Sequence, residues 1–106
     1  MWYLLDENKD PYPVSVEEGM KLQDDIDMKI VKQDKIGNVF ISTVFLGLDH
    51  SLESNLPILF ETMIFNGKHD QYQMRYATYK QAQQGHEDAL NLVKESLKRI
   101  KDDRDT

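Results

Sequence analysis

His86 stands within an apolar helical stripe, and Glu61 is the one charge in the otherwise apolar run Ile58–Phe65. A carboxylate beside an imidazole can orient it and make a general acid/base pair. The simpler reading of His86 is a core histidine with one ring nitrogen bonded to a buried partner. Glu61 is its natural partner, because a carboxylate buried alone is costly. The expectation is that the two meet beneath a helix or open on a common pocket. Asp49-His50 closes the best strand of the chain, where a loop often carries function. With His69, His86, Glu61 and Asp70 there are donors for a metal, but none has ligand spacing such as a helical HxxxH. Asp49 capping a turn beside a solvated His50 is the simpler arrangement. No metal and no cofactor is assigned.

A third cluster joins Arg75, Tyr76, Thr78, Tyr79 and Lys80 where a strand runs into the last helix. Helix N-termini offer free amides and a positive dipole end, so a small anion or phosphate can bind there. Arg75 would add a forked donor, and Tyr76 or Tyr79 a stacking surface. Against this, Thr78–Gln81 reads as a capping box that uses some of those amides. Arg75 also alternates with Tyr76 and Met74, which turns it outward. Nucleophilic catalysis has little to build on. Ser42 and Thr43 lie inside a strand, and the five glycines are isolated, so no phosphate loop exists. No catalytic residue is assigned.

The elements that must position these residues follow from periodicity. Trp2–Leu5 is a short apolar run stopped by the turn cluster 6–11, and Tyr12-Pro13-Val14 can resume an edge strand. Ser15–Glu18 has capping-box spacing and starts a short helix to about Asp25, weakened by Gly19. Met28–Gln33 is a strand, Asp34–Asn38 a turn, and Val39–Leu48 a strand rich in β-branched and aromatic residues. A polar connection over 49–57 leads to the strand Ile58–Phe65. The alternation of Tyr72, Met74 and Tyr76 with polar residues is a half-buried strand. From Thr78 to about Asp102 a helix places Tyr79, Ala82, His86, Ala89, Leu90, Val93, Leu97 and Ile100 in one arc about 100° wide.

The layout is α+β: three or four antiparallel strands, a long C-terminal helix across them and a short N-terminal one. It forms a single domain over 1–106, with an acidic segment 1–37, strands in 38–77, the helix 78–102 and a tail 103–106. Val39–Leu48 and Ile58–Phe65 are apolar on both faces, so both faces should be covered. The long helix covers one, and a second copy of the chain is the expected cover for the other.

The chain has 106 residues, 19 acidic against 13 basic, and a net charge of −6. Residues 1–50 hold ten acids and five lysines, so the excess lies mostly in the first half, notably at Glu17, Glu18, Asp24, Asp25 and Asp27. That balance argues against nucleic acid. No apolar run approaches the roughly 18 residues of a membrane span, and without cysteine there is neither disulfide nor thiolate chemistry.

Ser42–His50 (STVFLGLDH), Leu59–Phe65 (LFETMIF), Arg75–Thr78 (RYAT) and Ala82–His86 (AQQGH) resemble a family of small, functionally uncharacterised proteins encoded by phages and prophages. The resemblance spans about residues 38–90. It implies a mobile-element origin and a host-cell cytoplasmic setting, and it singles out Asp49, His50, Glu61, Thr62, Arg75, Gly85 and His86 for test. The functional expectation is a small non-enzymatic binding protein, acting on a host protein through the acidic Glu17, Glu18, Asp24 and Asp25, as a counter-defence inhibitor would. The alternative is a sponge for a small nucleotide signal near Arg75. An acid/base or metal-dependent enzyme using Glu61, His86 or His50 comes third.

Overall fold

Alternating burial organises the chain. In β4 (Val39–Phe45), Val39, Ile41, Thr43 and Phe45 are buried while Phe40, Ser42 and Val44 are half-exposed. In β5 (Phe60–Phe65) the buried set is Phe60, Thr62 and Ile64. With β3 (Ile30–Ile36) and β6 (Gln73–Tyr76) they form an antiparallel meander in the order β3-β4-β5-β6. The computed structural model describes residues 1–51 and 56–105, with 100–105 as backbone alone. The connection read at 49–57 therefore includes residues 52–55, which lie outside the described set, as does Thr106.

The long helix α3 (Tyr79–Asp105) lies across one face. At 1.5 Å per residue its 27 residues span about 40 Å, against about 23 Å for the seven-residue β4, so it overhangs the sheet. Thr78 Oγ1 accepts from Gln81 N–H (3.1 Å), and Gln81 Oε1 accepts from the Ala77 and Thr78 amides at 3.1 and 3.2 Å. The capping box is complete. The helix runs to Asp105, past the expected end at 102. Of the expected stripe, Ala82, His86, Ala89, Leu90 and Val93 are buried, Leu97 is partly exposed, and the Ile100 side chain lies outside the described set.

The N-terminal part closes one end. β1 (Trp2–Leu5) and β2 (Pro11–Val14) form a separate two-stranded hairpin. Tyr3 N–H donates to Gly47 O at 2.7 Å and Trp2 bridges Leu48, which ties the hairpin to the chain leaving β4. α1 (Val16–Lys21) starts at Ser15, whose Oγ accepts from Glu18 N–H and whose hydroxyl donates to the Glu18 carboxylate, each at 3.2 Å. A 3₁₀ turn (Leu22–Asp24) follows, then α2 (Ile26–Lys29), capped by Asp25. Gly19 is buried against Trp2, and a Cβ there would collide with the indole. Its cost as a helix residue is offset by that close approach.

The strand read at Met28–Gln33 is corrected at both ends: it begins at Ile30, because Met28 and Lys29 close α2. Asp34, Lys35 and Ile36 belong to β3, and only Gly37 and Asn38 turn the chain, with Gly37 at φ +60°. A two-residue hairpin with glycine at its first position needs no more, so Asp34 and Lys35 stay paired with Ile41 and Phe40. The second face of the meander is left partly open by the described residues. It carries Phe40, Val44 and Met63, all half-buried, and Phe65, which is exposed.

Candidate functional site

The buried face is apolar at both ends and polar in the middle. Val39, Ile41, Ile64, Ala89, Leu90 and Val93 pack at one end; Leu22, Phe45, Leu59, Phe60 and Ala82 pack at the other. Phe45–Phe60 and Phe60–Tyr79 ring contacts at 5.2 and 6.0 Å seat the start of α3. Between the halves the register sets Thr43 opposite Thr62, and His86 of α3 comes down on them. All three are fully buried. His86 Nδ1 lies 2.7 Å from Thr43 Oγ1, which is hydrogen-bonded to Thr62 Oγ1. His86 Nε2 lies 2.7 Å from Asp34 Oδ2.

The carboxylate can only accept, so Nε2–H donates to it; in the tautomer that leaves Nδ1 bare, the Thr43 hydroxyl donates there and accepts from Thr62. Asp34 also faces Lys32 (3.9 Å), which bonds Glu87 of α3 at 2.8 Å. The Glu87 carboxyl is held below its ordinary range by that lysine, and the Lys32 ammonium is held above its own by Glu87.

Asp34–His86–Thr43 has the order of a nucleophilic triad, yet neither His86 nor Thr43 reaches solvent. What this arrangement does is fasten α3 to three strands. Tyr76 belongs to the same layer. Burial pushes its phenol up, with Thr62 countering in part, and its hydroxyl has no hydrogen-bond partner in good geometry among the described residues. The ring lies against Gly85, where a Cβ would overlap the phenol. Thr62, Gly85, His86 and Tyr76 thus converge, in a structural seam between helix and sheet.

The expected Glu61–His86 pair is not formed. Parity puts Glu61 on the open face, where Arg75 Nε and Gln73 Nε2 donate to its Oε2 at 2.9 and 2.6 Å. The partner of His86 is Asp34, hidden from sequence reasoning by its assignment to a turn. Its signal was a lone carboxylate two residues before Ile36, on the same strand face.

The Arg75 cluster is divided. Arg75 faces the open side and is engaged by Glu61, while Tyr76 points under α3 and Tyr79 packs on Phe60. Lys80 is exposed on the first turn of α3. Asp49 accepts from the Ser51 and Ile58 amides at 2.8 and 2.9 Å and from Ser51 Oγ, bonds that hold its carboxyl below the ordinary range; His50 is exposed. His69 bonds Ser96 Oγ at 2.8 Å. Among the described residues no three His, Asp or Glu side chains converge as a ligand set, and no helix is long and apolar enough to cross a membrane.

The acidic segment stands apart from the seam. Glu17, Glu18, Asp24 and Asp25 are all exposed, Asp25 through its cap on α2. Among them Val16, Met20, Ile26 and Met28 are 55–68% exposed, large apolar side chains that sequence reasoning passed over. No family model, curated protein or solved structure matches the chain.

Proposed function

We propose that the chain is a non-enzymatic binding protein that acts by occupying a basic site on another protein through residues 16–29. The observation that carries this reading is the exposure of Val16, Met20, Ile26 and Met28 on a segment holding five acids and two lysines. Apolar side chains left in water within one short segment mark interaction surfaces. The surrounding carboxylates steer a cationic partner and reject an anionic one. The phage or prophage setting implied by the resemblance makes a host protein the partner, and inhibition of a defence protein a natural use.

The open sheet face supports a second association, with another copy of the chain. Phe40 and Phe65, 6.2 Å apart, and Met63 form its apolar part. Its charges are Lys35, Arg75 and Glu61, near balance in a chain of −6, so two copies meet there without strong repulsion. A nucleotide sponge at Arg75 has less support, because Glu61 occupies the guanidinium and the capping box occupies the helix amides.

The test is capture from host lysate by the wild-type chain, by Glu17→Lys/Asp24→Lys and by Met20→Ser/Ile26→Ser. The reading requires one basic protein retained by the wild type and lost with both variants. Retention by both would refute it.

A further inference from the structure

At the far end of the molecule from the acidic segment, a cavity of about 210 Å³ lies between the β3–β4 turn, the β5–β6 connection and the outer half of α3. Its floor is apolar, from Val39, Val93 and Leu97. Its polar wall is Lys68, His69 and Ser96, with the His69–Ser96 bond spanning from the connection to the helix. Asn38 and Asn66 close the end, the Asn66 amide donating to Asn38 O at 2.8 Å. The connection is held in shape: Asn66, Gly67 and Gln71 all have positive φ, and Asp70 Oδ1 accepts from Asn66 N–H at 2.6 Å.

The chain has 19 acidic residues, yet among the described residues no carboxylate lines this cavity. Lys68 makes no hydrogen bond or ion pair among the described residues, and the amides and the hydroxyl add donors. A preformed concavity with an apolar floor and a few convergent polar groups is how small ligands are held. Its volume is below the roughly 300–1,000 Å³ of drug-sized sites, so the ligand is small.

We propose that this cavity binds a small organic anion, a single ring or short branched chain bearing one carboxylate. The apolar part rests on Val93 and Leu97, and the anionic group meets Lys68 and the His69–Ser96 pair. This site shares no residue with the protein-binding surface and stands independently of it.

Benzoate is the probe, with benzylamine and benzyl alcohol as the cationic and neutral counterparts, followed by amide chemical shifts of the full chain. Benzoate should give saturable shifts centred on residues 66–69 and 93–97, with a Kd of about 1 mM or tighter. Lys68→Glu, on an exposed connection, should weaken benzoate about tenfold and favour benzylamine. Ser96→Leu should fill the cavity and abolish the shifts. Absence of saturable benzoate shifts there, equal response to all three probes, or an unchanged Kd in Lys68→Glu would overturn the proposal.

Discussion

His86 Nε2 and Asp34 Oδ2 lie 2.7 Å apart, a bond across 52 positions of sequence that fastens the long helix to an edge strand. The imidazole is fully buried, whereas the carboxylate is about one-third exposed. The pair therefore anchors one end of a polar chain that continues through Thr43 and Thr62 into the core. Removing one member leaves the others unpaired at full desolvation cost. His86→Ala adds a cavity and should destabilise by about 3–4 kcal/mol in urea unfolding. Thr43→Val/Thr62→Val/His86→Leu replaces every buried member with an apolar one and should recover more than half of that loss. A triple variant less stable than His86→Ala would contradict this.

Tyr76 and Gly85 are coupled by contact. Tyr76→Phe removes a buried hydroxyl with no good partner, so stability at pH 7 should stay within about 0.5 kcal/mol or rise. Gly85→Ala should cost about 2–3 kcal/mol, since the new methyl and the ring cannot share the space. Gly85→Ala/Tyr76→Ala should cost less than the sum of the single changes. Strict additivity would show that the two do not compete for one volume.

Alkaline stability follows from the same ring. Burial raises the phenols of Tyr76 and Tyr72 above their ordinary value. The unfolded chain then loses these protons first, so stability is intact below about pH 10 and falls as pH rises beyond it. Tyr76→Phe should flatten that decline in thermal melts from pH 9 to 11, conditions chosen around the ordinary tyrosine value of about 10. An unaltered decline would point to other groups.

On the acid side, Asp49 is held low by two backbone amides and Glu87 by Lys32. A depressed carboxyl contributes stability above its ordinary pKa of about 4 and loses it as pH falls through the lower folded value. Asp49→Ala should cost about 1–2 kcal/mol at pH 7 and soften the loss of stability below pH about 4, read from urea midpoints at each pH. An acid limb as steep as wild type would exclude Asp49 as a contributor.

The Glu61–Arg75 pair predicts an asymmetry. Glu61 is 13% exposed and Arg75 43%. Glu61→Ala releases a guanidinium into water and should cost no more than about 1 kcal/mol. Arg75→Ala strands a largely buried carboxylate on Gln73 alone and should cost more. Equal costs, measured by chemical unfolding, would contradict the geometry.

What the sequence made legible was local. Val39–Phe45 is a strand, Ser15 and Thr78 cap as their spacing implied, and β6 turns Arg75 outward. What it hid was parity. Ile58–Phe65 is apolar on both sides, so nothing local says whether Glu61 or Thr62 meets the helix. The register does, by setting Thr62 against Thr43 and Glu61 against Val44 and Arg75. Asp34 was obscured for a different reason: Asp-Lys-Ile-Gly-Asn has turn composition, yet the hairpin needed only its last two residues.

The binding reading rests on residues 16–29, and hydrogen–deuterium exchange of the chain with its captured partner tests it most directly. The account predicts slowed exchange concentrated in Val16–Lys29, weakening as salt screens the carboxylates. Protection confined to the open sheet face or to α3, with 16–29 unchanged, would contradict it.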